Sequence, residues 1–129
     1  MTTPSRTLSL LPEHFAICQL APDEPIPAWA MPSQATFYSI TRTRDELSLI
    51  CPQQQIPADV SADTGWRCLK IEGPFALDEP GILAAIVTPL AQAGISVFAV
   101  ATYDTDYLVI KECERAIETL EQLAHHIQK

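Results

Sequence analysis

Basic side chains are scarce in this sequence: it has eight Lys and Arg against 16 Asp and Glu, which gives a formal net charge of −8. The basic residues are scattered, and the densest pair is Arg42 with Arg44. Binding to a phosphate backbone requires clustered cations that release counterions. We therefore expect no nucleic-acid partner and no attraction to an anionic membrane surface.

Long apolar runs are missing as well. No stretch approaches the roughly 20 residues that a membrane-spanning helix needs. The apolar run at residues 8–11 is too short for the core of a signal peptide. Because 47% of the residues are hydrophobic and only 19% are charged, the composition is typical of a packed globular protein. We predict a cytoplasmic protein with one sizeable core.

Motifs for catalysis and for metal binding are also lacking. With only four glycines, the sequence has no Gly-rich phosphate loop and no G-x-S-x-G. His14 and Cys18 lie four residues apart on a predicted strand, too far apart for a thiol–imidazole pair. His125 and His126 point in different directions on a predicted helix, whereas metal-binding pairs prefer a spacing of four. We expect no metal, no cofactor and no enzymatic activity.

The four cysteines show no close pairing of the kind that zinc sites use. Most of them lie in apolar runs, where a free cysteine acts as a small hydrophobic residue. We therefore predict buried, unreactive thiols at all or most of Cys18, Cys51, Cys68 and Cys113.

The first half of the chain holds most of the 11 prolines and shows no long helical period. It offers short apolar or β-branched runs that favour strands. The Pro-rich segment at residues 22–32 excludes a long helix and leaves room for a single turn around Pro27–Met31. The predicted strands are Thr7–Leu11, Phe15–Leu20, Thr36–Thr43 and Glu46–Cys51.

The second half is more regular. Apolar residues spaced one helical turn apart from Ile82 to Leu90 predict a helix, and Gly94 suits its C-terminal cap. Asp78 or Glu79 could cap its N-terminus. The strand after the helix is apolar on both faces, which favours a central place in a sheet. The predicted order is strand Trp66–Glu72, helix Pro80–Ala93, strand Ile95–Thr102, a polar turn at Tyr103–Asp106 and strand Tyr107–Lys111.

The last predicted element is an amphipathic helix whose apolar stripe runs from Cys113 to Ile127. This gives the order β-α-β-β-α, which is one strand short of the ferredoxin-like βαββαβ motif. We expect the N-terminal half to supply the missing strand, so that the two halves form one interlocked unit.

The second half also resembles the ACT domain. The resemblance lies in an acidic residue and a glycine that open the first helix, a glycine that ends it before the second strand, and a Thr-Tyr-Asp-Thr-Asp turn. Together with Trp66-Arg67 and an N-terminal Leu-Leu-Pro-Glu-His-Phe-Ala-Ile-Cys, these segments are similar to small bacterial tandem-ACT proteins, a branch that resembles the CASTOR arginine sensors of animals. The segments are 77–83, 90–98 and 102–107.

The resemblance implies an α+β fold with two interlocked ferredoxin-like (ACT-type) βαββαβ lobes. Each lobe would carry an antiparallel sheet with helices on one face. Residues 1–62 would form a degenerate ACT-like lobe and residues 63–129 the ACT domain proper.

The resemblance also implies a ligand site at the start of the first helix. Free N–H groups at Gly81 and Ile82 suit a carboxylate, and the acids Asp78 and Glu79 could hold an ammonium group. The alternative is that Asp78 or Glu79 is an ordinary helix cap. In the family, the pair equivalent to Ser96 and Val97 lines the ligand cleft, and we expect it to lie beside that turn. The alternative for Ser96 is a local hydrogen bond at the start of a strand.

Two further residues complete the predicted site. In the family the loop at Tyr103 and Asp104 faces a partner unit, which implies an interface role, whereas an Asp in a hairpin commonly binds its own backbone. We predict a regulatory module that binds a small molecule such as an amino acid at an ACT–ACT interface of a homodimer. A basic amino acid is the first choice of ligand because of the acidic charge. The alternative is a ligand-free structural module that mediates dimerisation.

Overall fold

The computed structural model describes residues 5–73 and 80–129. The strands are β1 (Thr7–Leu10), β2 (Phe15–Leu20), β3 (Ser39–Arg42), β4 (Leu47–Pro52), β5 (Asp63–Ile71), β6 (Val97–Ala101), β7 (Asp106–Ile110) and β8 (His126–Gln128). The helices are α1 (Ile82–Gln92) and α2 (Cys113–Gln122), with 3-10 turns at Ala28–Ala30 and Gln53–Gln55. Among these residues, neither helix is long and apolar enough to cross a membrane.

The residues form two compact units. Unit 1 combines the described residues up to Leu11 with Arg67–Lys129, and unit 2 is Pro12–Trp66. The first unit is therefore built from two stretches that are far apart in sequence. The predicted division into lobes 1–62 and 63–129 stays a prediction.

Unit 1 holds a five-stranded sheet in the order β6-β7-β5-β1-β8. Neighbouring strands are antiparallel, except that β1 and β8 are parallel. In the centre, Leu69 of β5 lies opposite Leu10 of β1 on one side and Leu108 of β7 on the other. The α+β architecture and the ferredoxin-like lobe agree with the prediction.

Both helices pack on one face of this sheet. Successive residues of a strand point to opposite faces, so every second residue of β1, β5 and β7 enters the core, and α1 and α2 contribute residues spaced three or four apart. The core comprises Leu8, Leu69, Ile71, Ile82, Ile86, Leu90, Ile95, Leu108, Ile110, Cys113, Ala116, Ile117, Leu120 and Ile127.

The end of the chain differs from the prediction. Helix α2 ends at Gln122 rather than continuing to Ile127, because Ala124 adopts a left-handed backbone conformation with φ of 68°. The chain then forms β8, in which Ile127 lies opposite Leu8 of β1. The prediction that the chain lacks the last strand of the βαββαβ motif was therefore wrong. The N-terminal half does add a strand, β1, but this strand lies between β5 and β8 and, contrary to our prediction, does not supply the last strand of the motif.

Strand β6 also differs from the prediction. It pairs with β7 and, within residues 5–73 and 80–129, with no other strand. It is therefore an edge strand and not a central one. This edge position leaves apolar side chains exposed on both faces of β6: Phe98 is 45% exposed, and the alanines at positions 99 and 101 are also exposed.

Unit 2 holds a sheet in the order β3-β4-β2, to which Asp63 and Trp66 of β5 add by pairing with β2. This unit is described throughout and contains no α-helix, in keeping with a degenerate lobe. The Pro-rich segment forms only the 3-10 turn Ala28–Ala30, as predicted. A small core that includes Cys18 and Leu49 lies beneath it.

Candidate functional site

The first part of the predicted site is the start of α1. The helix begins at Ile82, and its N-cap is Gly81, whose φ of 82° favours glycine. Ile82 is buried in the core of unit 1, whereas Gly81 is exposed. The first N–H groups of any helix have no acceptor within it and suit an anion. Asp78 and Glu79 lie outside the described residues.

The second part is the turn between β6 and β7. Two threonines hold this turn: the Thr102 N–H donates to the Thr105 carbonyl oxygen at 2.8 Å, and the Thr105 N–H donates to the Thr102 hydroxyl oxygen at 3.3 Å. Tyr103 is 80% exposed, and Asp104 is also exposed and makes no hydrogen bond with any described residue. The side chains of Tyr103 and Asp104 are thus available for contact with another molecule.

The start of α1 and this turn lie at the same end of the sheet. The buried hydroxyl of Thr105 donates a hydrogen bond to the carbonyl oxygen of Ile71, the last residue of β5. Helix α1 is followed within a few residues by the start of β6, at the opposite end of the sheet, so the start of α1 lies toward this end. Gly81 and Ile82 therefore share one end of unit 1 with Tyr103 and Asp104.

The third part of the predicted site lies at the opposite end. Helix α1 ends at Gln92, and beyond it the N–H of Ile95 donates to the Leu90 carbonyl oxygen at 2.9 Å, which holds the chain at the helix C-terminus. Ser96 follows, exposed, and Val97 begins β6 opposite Ile110 of β7. Ser96 forms no hydrogen bond within the part of the chain that the structure describes, so the alternative of a local strand-start bond finds no support.

The structure therefore does not bring all the predicted residues of one chain together. Helix α1 has 11 residues, which corresponds to a length of roughly 16 Å, and it separates Gly81 from Ser96. Our expectation that Ser96 lies beside the turn before α1 was wrong for a single lobe, because the whole helix intervenes.

Asp106, which we predicted only as part of a polar turn, has a distinct environment in the structure. Asp106 begins β7 and lies on the same face as Leu108 and Ile110, which belong to the core of unit 1. It is half-buried, and burial raises the pKa of its carboxyl group. In the sequence, Asp106, Leu108 and Ile110 lie at every second position of a strand, and this alternation could have shown that Asp106 faces the core side.

The four cysteines are not part of the predicted site. All four are free and buried, as predicted. Burial raises the pKa of the thiols of Cys18 and Cys113, and it raises that of Cys51 to about 11, with a contribution from the neighbouring Cys18. A thiol is nucleophilic only as the thiolate, so these groups are weak nucleophiles near neutral pH. The described residues hold no group of three or more potential metal ligands.

Strand order and helix placement define unit 1 as a ferredoxin-like α+β domain with one additional strand, β1. Residues 61–122 match the family model described as the ACT domain. A second family model, for an N-terminal domain, matches residues 13–59. A protein of Agobacterium tumefaciens of known structure is 41% identical, with a TM-score of 0.88 over 97% of this chain and 93% of that one. Residues 61–122 therefore belong to the ACT-domain family.

Other relatives are more distant. The human protein named cytosolic arginine sensor for mTORC1 subunit 1 is 33% identical over 89 residues, which is 63% of this chain. The chain spans only 27% of the length of that relative. The regulatory subunit of aspartate kinase from Thermus thermophilus shares the fold, with a TM-score of 0.58 at 14% identity over 95% of this chain and 99% of that one.

Proposed function

We propose that this chain is a non-enzymatic, cytoplasmic regulatory module that binds an amino acid between the ACT units of two copies. The observation that carries the proposal is the position of the predicted residues at the two ends of an exposed edge strand. Ser96 and Val97 lie at the start of β6, and Tyr103 and Asp104 lie just beyond its end. The five residues of β6 span roughly 17 Å, too far for one amino acid to bridge.

A second copy removes this separation. If two β6 strands pair antiparallel about a two-fold axis, the start of one strand lies opposite the end of the other. Ser96 and Val97 of one copy then approach Tyr103 and Asp104 of its partner. Gly81 and Ile82 lie at the same end of unit 1 as Tyr103 and Asp104. Each ligand site is therefore formed by residues of both copies, and the dimer carries two equal sites.

The groups at the two ends suit a zwitterion. The N-terminus of α1 favours a carboxylate, and the Ser96 hydroxyl, which has no hydrogen bond within the described residues, can bind a polar group of the ligand. Asp104 and the half-buried Asp106 supply negative charge for an ammonium or guanidinium group. The net charge of −8 also favours a cationic ligand, and one relative is named an arginine sensor. Arginine is therefore the first ligand to test.

Titration calorimetry of the full chain against the 20 amino acids tests the proposal. We expect heat with a basic amino acid, and we expect Ser96→Ala to weaken binding about tenfold, the usual effect of one lost hydrogen bond. Ser61→Ala is the matched control, because Ser61 is exposed in unit 2 and should leave affinity unchanged. No heat with any amino acid at millimolar concentration would exclude the proposed ligand class.

One observation favours a second function, that of a ligand-free dimerisation module. Among the described residues β6 pairs with one strand only, and the open side of an edge strand can serve as a template for a further strand, which is sufficient for assembly without a ligand. On this alternative the chain is a dimer in every buffer, no amino acid releases heat, and Ser96→Ala changes neither property.

A further inference from the structure

His125 lies in the connection between α2 and β8, and it is buried with only 6% exposure. Its Nδ1 accepts a hydrogen bond from the backbone N–H of Arg6 at 3.0 Å. The carbonyl oxygen of Arg6 in turn accepts from the N–H of His126 at 2.9 Å. Both backbone groups of the residue that precedes β1 are thus held by two adjacent histidines.

The bond to Nδ1 constrains the protonation state of His125. A ring nitrogen accepts a hydrogen bond only while it carries no proton, and both ring nitrogens of an imidazolium are donors. Protonation at Nδ1 would therefore place two N–H groups against each other. Because the side chain is buried, relief of this conflict requires either Arg6 or the ring to move, and in both cases the bond to the Arg6 N–H is lost.

We propose that His125 is a protonation-dependent latch that holds the N-terminal end of β1 against β8. In the neutral state it fixes Arg6 and so aligns Thr7 opposite His126, the first pair of the parallel β1–β8 ladder. In the protonated state it releases Arg6, and the strand opens from this end. The proposal is independent of the proposed ligand, because none of the predicted ligand-binding residues takes part.

Burial, together with the positive charge of Arg6, favours the neutral imidazole. Burial lowers the pKa of His125, and the positive charge of Arg6 acts in the same direction. On α2, Glu118 is exposed, and Glu121 pairs with Lys129 at 3.8 Å. The N–H of His125 donates to the carbonyl oxygen of Leu120, so an apolar residue lies at that contact.

The direction of the pH effect follows from the lowered pKa. An unfolded histidine titrates near its ordinary value of 6.5. A group whose pKa is depressed in the folded state contributes its full stability above that value, and the contribution is lost as the pH falls through the lower native pKa. The β1 end should therefore be closed at neutral pH and should open in mild acid.

Amide hydrogen exchange followed by NMR on the full chain tests the latch. We expect the protection factor of the Arg6 amide, corrected for intrinsic exchange, to fall about tenfold, the effect of one hydrogen bond, as the His125 ring resonance titrates. The amide of Leu69, in the centre of the sheet, should keep its protection over the same range. Constant protection of Arg6 across the His125 titration would overturn the proposal.

Two variants sharpen the test. His125→Asn places a non-titrating oxygen near the position of Nδ1, so the pH dependence at Arg6 should disappear. His126→Asn is the matched control, because His126 is exposed, and it should keep the wild-type pH dependence. Equal pH dependence in His125→Asn and wild type would contradict the latch. If His125→Asn does not fold, the wild-type titration of Arg6 protection still decides the question.

Discussion

The hydroxyl of Thr105 donates a hydrogen bond to the carbonyl oxygen of Ile71 and so joins the turn after β6 to the end of β5. Thr105 is only 4% exposed and Ile71 is fully buried. The bond links a turn to the end of a strand that is distant along the chain, since the two residues are 34 positions apart in sequence. It places the turn that carries Tyr103 and Asp104 at the end of the sheet where β5 ends.

Thr105→Val should destabilise the protein by about 1–3 kcal/mol, because it leaves a buried carbonyl oxygen without its donor while keeping the side-chain shape. Urea unfolding monitored by circular dichroism gives the free energy of unfolding. Thr41→Val is the control, since Thr41 is an exposed strand residue and its substitution should cost less than about 0.5 kcal/mol. Equal stability of the two variants would show that the bond contributes nothing.

Phe98→Lys should shift the protein towards the monomer if β6 is the contact between copies. A charge on an edge strand opposes pairing with a further strand, and two copies about a two-fold axis would bring the new lysines close together. Sedimentation velocity over a range of concentrations measures the change. Leu123→Lys is the matched control: Leu123 is 48% exposed, close to the 45% of Phe98, and lies beyond α2. A similar loss of dimer in both variants would argue against β6.

Local patterns were sufficient to predict much of unit 1. The spacing of Ile82, Ile86 and Leu90 identified α1, and Gly94 with its φ of 77° follows the end of that helix. The strand–turn–strand order after it was also predicted, with bounds that shifted by one or two residues. These features depend on neighbours in sequence, which is why they can be read from the chain alone.

Features that depend on distant partners could not be predicted in the same way. The apolar stripe of α2 continues in register through Leu123 to Ile127, so periodicity alone extends the helix across the turn at Ala124. The position of β6 at the sheet edge could not be predicted, because its exposed residues are apolar, as those of a central strand would be. The separation of Ser96 from Gly81 follows from the direction of α1. The resemblance to the ACT domain was drawn residue by residue and does not include this direction.

Glu13 should contribute stability that depends on pH. Although burial raises its pKa, hydrogen bonds from the hydroxyl and the N–H of Thr36 lower it, and the net pKa is below the ordinary 4.5. A carboxylate with a depressed pKa stabilises the folded state above pH 4.5 and loses this contribution as the pH falls through its native pKa. Glu13→Gln should therefore lower Tm at pH 7 and have a smaller effect near pH 3.

Thermal melts of wild type and Glu13→Gln at both pH values measure this difference. Glu118→Gln serves as the control, because Glu118 is exposed on α2 and has no hydrogen bond to any described residue. Its effect on Tm should be small at both pH values. A Glu13→Gln effect that is the same at pH 7 and pH 3 would mean that the Thr36 contacts do not favour the charged carboxylate.

Ile127→Ala tests the strand that replaces the predicted C-terminal end of the helix. Ile127 is 6% exposed and belongs to the core, whereas Leu123 is 48% exposed. We expect Ile127→Ala to cost about 2–5 kcal/mol of the free energy of unfolding, as for other buried isoleucines, and Leu123→Ala less than about 1 kcal/mol. A helix that continued to residue 127 would bury both side chains on one stripe and make the two costs similar. Urea unfolding of the two variants therefore distinguishes β8 from a longer α2.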